Sequence, residues 1–218
     1  MDEIITIKYE SGFLMNNNIS FNQYKGIDIA IMTVLTVVAE AVVALAASSW
    51  FPNELYSLSP MVAMVCIVMM RWGAWAAVPA VASGIAFCAV TGASLEQFVV
   101  YIVGNCFSLV ALVWFKAMGK EAVRKRIEVC ILYSLTAFAG TILGRWGVAL
   151  LFGYQPDSIV SFFLVDCLSM VFAVVVTLIS RKVDGLFEDQ KSYLIRTEEE
   201  REREREEKRR ADDSDYND

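Results

Sequence analysis

The chain has 218 residues, 56% of them hydrophobic, a net charge of −6 and no histidine. That apolar share is too high for an ordinary soluble domain of this length. The missing histidine removes the commonest metal ligand and the commonest neutral-pH base, and with them most metal-hydrolase and acid–base enzyme designs.

Charge is segregated along the chain. Between residues 27 and 116 the charged side chains are Asp28, Glu40, Glu54, Arg71, Glu96 and Lys116, whereas nearly every residue from 197 to 218 is charged. An apolar body with a solvated tail is the pattern of a polytopic membrane protein. The expected division is a cytoplasmic segment over 1–26, a transmembrane domain over 27–182 and a charged cytoplasmic tail over 183–218. The first 26 residues lack the basic start, apolar run and small-residue cleavage site of a signal peptide.

A spanning helix needs about 20 apolar residues. Residues 27–47 form the first such run. The next, 55–92, is too long to cross once and is interrupted at "MMRWGAW" around Arg71. It is predicted to be a hairpin with arms 55–70 and 73–91. Residues 95–115, 129–152 and 159–179 supply the remaining spans, giving an all-α, six-transmembrane-helix bundle. The connections "FPNELYSLS", "GASLEQ" and "GYQPDS" contain no Lys or Arg. The alternate connections hold Lys25, Arg71, Lys116, Lys120, Arg124, Lys125, Arg126, Arg181 and Lys182. By the positive-inside rule both termini are cytoplasmic, and the expected location is the cell membrane. The tail "RTEEEREREREEKRRADDSDYND" places Glu199 before Arg203 and Glu204 before Lys208, pairs that suit a solvated helix. Its acidic residues offset its basic ones, so no nucleic-acid partner is expected.

Against this topology one basic residue is out of place. Arg145 lies within "GTILGRWGVALLFG", roughly 12 Å in from the outer end of the fifth span. Asp166 is as deep in the sixth span, and Glu40 roughly 15 Å deep in the first. Asn105 is at a similar depth in the fourth, with Tyr101 one turn away. Intramembrane charges face a bundle interior and find partners. Helical spacing puts Thr33, Thr36 and Glu40 on one face; Tyr101, Asn105 and Ser108 on another; Ser134, Thr141 and Arg145 on a third; Phe162 and Asp166 on a fourth. These stripes predict an outward-facing polar pocket lined by Glu40, Tyr101, Asn105, Thr141, Arg145, Phe162 and Asp166. The guanidinium suits a carboxylate or phosphate, and the acidic and amide groups suit ring N–H or amino groups. The competing reading is a buried Arg145–Asp166 ion pair that only pins two helices.

Other motifs speak to packing or to absence. "GTILG" (Gly140, Gly144) and "AVASG" (Ala80, Gly84) are small-xxx-small patterns of close helix contact. The five cysteines, Cys66, Cys88, Cys106, Cys130 and Cys167, sit in apolar runs without a paired motif and read as small hydrophobes. There is no GxxxxGK[ST], HExxH or GxSxG, so neither ATP hydrolysis nor another enzymatic activity is expected of the chain, and no cofactor or metal.

Over residues 26–181 the chain resembles the substrate-binding S component of an energy-coupling factor (ECF) transporter. The six-span layout, the hairpin "LSPMVAMVCIVMMRWGAWAAVPAVASGIAFCAVTG", the outer-half polar groups and the Gly26–Ala30 pair carry the resemblance. That pair stands where the family has Ala-x-x-x-Ala on its first helix, with Gly26 in place of the first alanine. The resemblance implies capture of a vitamin-like micronutrient, small and polar or zwitterionic. It also implies docking through Gly26 and Ala30 to a transmembrane coupling subunit, and delivery by tilting, driven by two partner ABC ATPases. The alternative is a non-transporting membrane scaffold or assembly factor whose intramembrane charges are structural. An intramembrane enzyme ranks third, for want of a nucleophile–base pair.

Overall fold

The computed structural model describes residues 20–50 and 58–215, and among them every regular element is helical. Residues 1–19, the expected start of the second span at 55 and most of the first predicted connection lie outside the described residues.

Helix α1, Phe21–Trp50, is 30 residues long and begins before the apolar run does. Its start is fixed by a reciprocal cap: the Gln23 amide donates to Ser20 Oγ at 3.2 Å, and the Ser20 amide donates to Gln23 Oε1 at 2.8 Å. Helix α2, Met61–Trp72, is followed by a 3₁₀ turn, Gly73–Ala76, and α3, Ala77–Thr91. Helix α4, Leu95–Cys106, starts from a capping box made by Ser94 and Gln97 and runs through a 3₁₀ stretch, Phe107–Leu112, into α5, Val113–Ala117. The short α6, Lys120–Lys125, precedes α7, Ile127–Leu151, and α8, Ser158–Ser180. Helix α9, Gln190–Asp215, carries the charged repeat.

Among the described residues five stretches are long and apolar enough to cross a membrane: Phe21–Trp50, Met61–Thr91, Leu95–Ala117, Ile127–Leu151 and Ser158–Ser180. Their outward faces are apolar. Ile27, Ile31, Val34, Val38, Val42 and Leu45 are exposed along α1, and Val160, Phe163, Leu164, Leu168, Val171 and Val175 along α8. Only 22% of the first apolar window and 17% of the last is buried within the protein, which suits contact with lipid and not with water. The chain is therefore an all-α protein of the multi-pass membrane kind.

By length and composition residues 61–91 count as one crossing, yet the backbone reverses within them. Ser59, just before α2, bonds Glu40 of α1, while Arg71 and Trp72 at its other end bond Asp28 of α1. Gly73 then takes φ +63°, ψ −127°, a conformation open to glycine. Helix α3 returns to the starting level, where Ser83 lies beside Glu40 and the Ala80 carbonyl meets Asn105. The predicted break at Arg71–Gly73 is thus a real reversal, but its first arm is only 12 residues long within the described chain, about 18 Å. Helix α2 is apolar all round and almost wholly buried, as such a helix must be.

Packing closes a ring: α1 on α3, α3 on α4, α4 on α7, α7 on α8, α8 on α2 and α2 on α1. Helix α2 also touches α7, so its side chains fill the centre. Cys66, Met69, Met70, Cys130, Tyr133 and Ala137 form this core, with the Tyr133 hydroxyl donating to the Cys66 carbonyl at 2.8 Å.

Within the expected tail, residues 185–190 pack against the bundle, while Val183, Asp184 and residues 200–207 are exposed. After α8 the chain folds back beneath the bundle and inserts Phe187 against Tyr133, ring centroids 6.3 Å apart. Glu188 and Gln190 are buried with it. Arg71 Nη1 donates to the carbonyls of Gly185 and Leu186, and Gln190 donates to the Gly185 carbonyl at 2.8 Å. Arg124 and Arg196 both pair with Glu188 and Asp184, and Lys120 pairs with Asp189. The charges flanking Leu186–Phe187 are the clamps that hold an apolar plug in place.

Candidate functional site

The site is built around Arg145, six residues before the end of α7. The guanidinium reaches two other helices. Its Nε and Nη2 donate to Asn105 Oδ1 of α4, at 3.0 and 2.8 Å, and its Nη1 donates to Asp166 Oδ2 of α8. Tyr101, one turn from Asn105, lies under the guanidinium with its ring centroid 4.4 Å from the central carbon, a cation–π contact. Asn105 is held in turn by its Nδ2, which donates to the Ala80 carbonyl of α3 at 3.2 Å.

Such close reach requires α4 and α7 to touch backbone to backbone. A Cβ on Gly104 would lie 2.7 Å from the Arg145 backbone nitrogen, and one on Gly144 would lie 2.7 Å from the Gly104 carbonyl oxygen. Gly140 is equally tight against the Phe107 backbone. The Gly140–Gly144 motif seen in the sequence is thus one half of this contact, and Gly104, which no motif marked, is the other half.

Glu40 forms the second part of the cluster. Its Oε2 accepts from the Ser59 hydroxyl at 2.9 Å, and the Ser59 amide donates to Ser169 Oγ of α8 at 2.8 Å. Arg145 and Asp166 both lie within electrostatic range of Glu40. Helices α1, α3, α4, α7 and α8, with the residues leading into α2, therefore meet in one polar region at the Arg145 end of the bundle.

Five of the seven predicted lining residues come together in this way: Glu40, Tyr101, Asn105, Arg145 and Asp166. Thr141 is buried one turn away, but its hydroxyl donates back to the Ala137 carbonyl of its own helix at 3.0 Å. Phe162 packs against the apolar patch of Val100, Val148 and Ala149 that adjoins Tyr101. The cluster is closed: Glu40, Asn105, Arg145 and Asp166 are each no more than 6% exposed. No buried side-chain atom in it lacks a partner. Among the described residues the buried side-chain atoms without a partner are Ser158 Oγ and Arg181 Nη1, and neither belongs to it.

Sequence reasoning missed Ser59, Ser83 and Ser169, because single serines in apolar runs carry no periodic signal. It also missed a second ion pair at the opposite end, between the buried Arg71 and the half-buried Asp28. There Arg71 Nε and Nη2 clasp the two Asp28 oxygens at 2.9 and 2.6 Å, Trp72 Nε1 donates to the same carboxylate, and Lys25 lies 4.5 Å from the Trp75 ring centroid. The signal was present: two opposite charges at one predicted membrane depth.

Gly26 and Ala30 are exposed on α1, and nothing stands within 4 Å of a Cβ placed on Gly26. Among the described residues no group of three or more acidic or cysteine side chains is arranged to hold a metal ion. Comparisons with protein-family models, with curated proteins and with solved structures find no match.

Proposed function

We propose that the chain is the substrate-capture subunit of an ECF-type importer, taking a vitamin-like micronutrient from outside the cell and delivering it through a coupling subunit powered by two partner ATPases. In this reading α2 makes the sixth crossing, both termini are cytoplasmic, and the protein resides in the cell membrane. The observation that carries it is the convergence of Glu40, Asn105, Arg145 and Asp166 from four helices on one buried region at the end away from the basic residues. Arg71, Lys120, Arg124 and Arg181 gather at the other end around residues 184–190 and Lys125, the side the positive-inside rule assigns to the cytoplasm. A polar cluster near the outer end of a small bundle suits capture, and the exposed Gly26–Ala30 face suits docking of another transmembrane helix.

A second reading is favoured by one observation: every nitrogen of the Arg145 guanidinium already has a partner within the protein. On that reading the charges are structural and the chain is a membrane scaffold. Mass spectrometry of small molecules released from protein purified in mild detergent separates the two. The capture reading expects a stoichiometric small polar compound, and the scaffold reading expects folded protein that releases none.

A further inference from the structure

Charge is balanced differently at the two ends of the bundle. At one end Asp28 and Arg71 match one to one through two hydrogen bonds. At the other there are two buried carboxylates, Glu40 and Asp166, and one guanidinium, Arg145. Arg145 directs Nη1 to Asp166 and its other two nitrogens to Asn105. Among the described residues no Lys or Arg stands within ion-pair distance of Glu40, which is met by the hydroxyls of Ser59 and Ser83 and has Arg145 only in longer electrostatic range. The start of α2, immediately after Ser59 and Pro60, brings roughly half a positive charge from its backbone, short of a full unit. A buried carboxylate without a counter-charge is costly at membrane depth.

We infer that Glu40 is the seat for a positive charge on the captured molecule, an ammonium, amidinium or protonated ring nitrogen. This rests on the capture reading. The ligand class is a monocation, or a zwitterion whose cationic end lies at Glu40. Its binding completes the charge balance that Arg71 completes at the other end. A Glu40 that simply holds a proton would instead behave as its glutamine isostere.

The test compares wild type with Glu40→Gln. The glutamine oxygen can still accept from Ser59, so the variant keeps the side chain's shape, loses its charge and exchanges one acceptor oxygen for an NH2 donor. Each protein is purified in detergent and melted. The compound extracted from wild type is identified by mass spectrometry and then rebound to both. The expected result is a compound with a cationic nitrogen, a Glu40→Gln melting temperature at or above that of wild type, and affinity lowered about 10- to 100-fold, as for loss of one hydrogen bond to a charged group. A compound without a cationic nitrogen overturns the inference even if Glu40→Gln fails to fold, and leaves the capture reading standing. Equal affinity for the two proteins does the same. Wild type that releases no compound overturns the capture reading and this inference with it.

Discussion

Asn105 Oδ1 accepts two hydrogen bonds from Arg145, through Nε at 3.0 Å and Nη2 at 2.8 Å, while its Nδ2 ties α3 through the Ala80 carbonyl. One amide thus joins three helices and holds two of the three nitrogens of a buried guanidinium. Asn105→Leu keeps the approximate volume and removes every one of these bonds. The expected cost is about 2–3 kcal/mol, that of hydrogen bonds to a charged group, read as a lower unfolding midpoint in detergent micelles.

The α4–α7 contact gives a sharper prediction. A Cβ on Gly144 would approach the Phe107 ring to 2.6 Å, whereas nothing lies within 4 Å of one on Gly147, three residues on. Gly144→Ala should destabilise by about 1–3 kcal/mol through overpacking. Gly147→Ala should be neutral, or stabilising by up to about 1 kcal/mol through helix propensity. Equal melting temperatures for the two variants would contradict the close approach.

The exposed face of α1 separates folding from partnership. Gly26 has open space around it, so Gly26→Leu should leave the melting temperature unchanged. If Gly26 and Ala30 form the docking face, the same variant should lose co-purification with a co-expressed coupling subunit and its ATPases. Retained co-purification would move the docking surface elsewhere.

At the opposite end Phe187 fills a place against Tyr133 and is held by Arg71 through two carbonyls. Phe187→Ala should cost about 3–5 kcal/mol if the plug contributes to the fold. Arg71→Gln should raise amide hydrogen exchange across residues 183–190 without changing exchange in α7. A tail that exchanged freely in wild type would contradict the packed arrangement.

Much of the helical layout was legible in the sequence, because apolar runs of spanning length leave few alternatives. The predicted runs 27–47, 95–115, 129–152 and 159–179 match α1, the α4–α5 stretch, α7 and α8 to within a few residues at most ends. The early start of α1 is owed to the Ser20–Gln23 cap, a polar signal outside the apolar window. The 3₁₀ stretch at Phe107–Leu112 was not legible; it packs along α7, where Phe107 lies against Gly140 and Gly144 and only the partner helix reveals the constraint. Within the site, depth counting brought Glu40, Asn105, Arg145 and Asp166 to one level, since rise per residue is nearly constant. Rotation was harder to read: Thr141 shares a face with Arg145 but bonds its own backbone. The plug at Phe187 was hidden because one apolar pair among charges has no period, and two of its clamps, Lys120 and Arg124, come from residues more than 60 positions away.

Whether the Arg145 cluster exists to bind or to brace is decided by measuring retained compound and melting temperature together, for wild type, Arg145→Ala and Arg145→Ala/Asp166→Ala. The capture account predicts that wild type carries a bound small molecule, that Arg145→Ala loses it while still eluting as a folded monodisperse species, and that the double variant does not recover it. A wild type that carries nothing, with Arg145→Ala unfolded and the double variant restored to stability, would contradict the account.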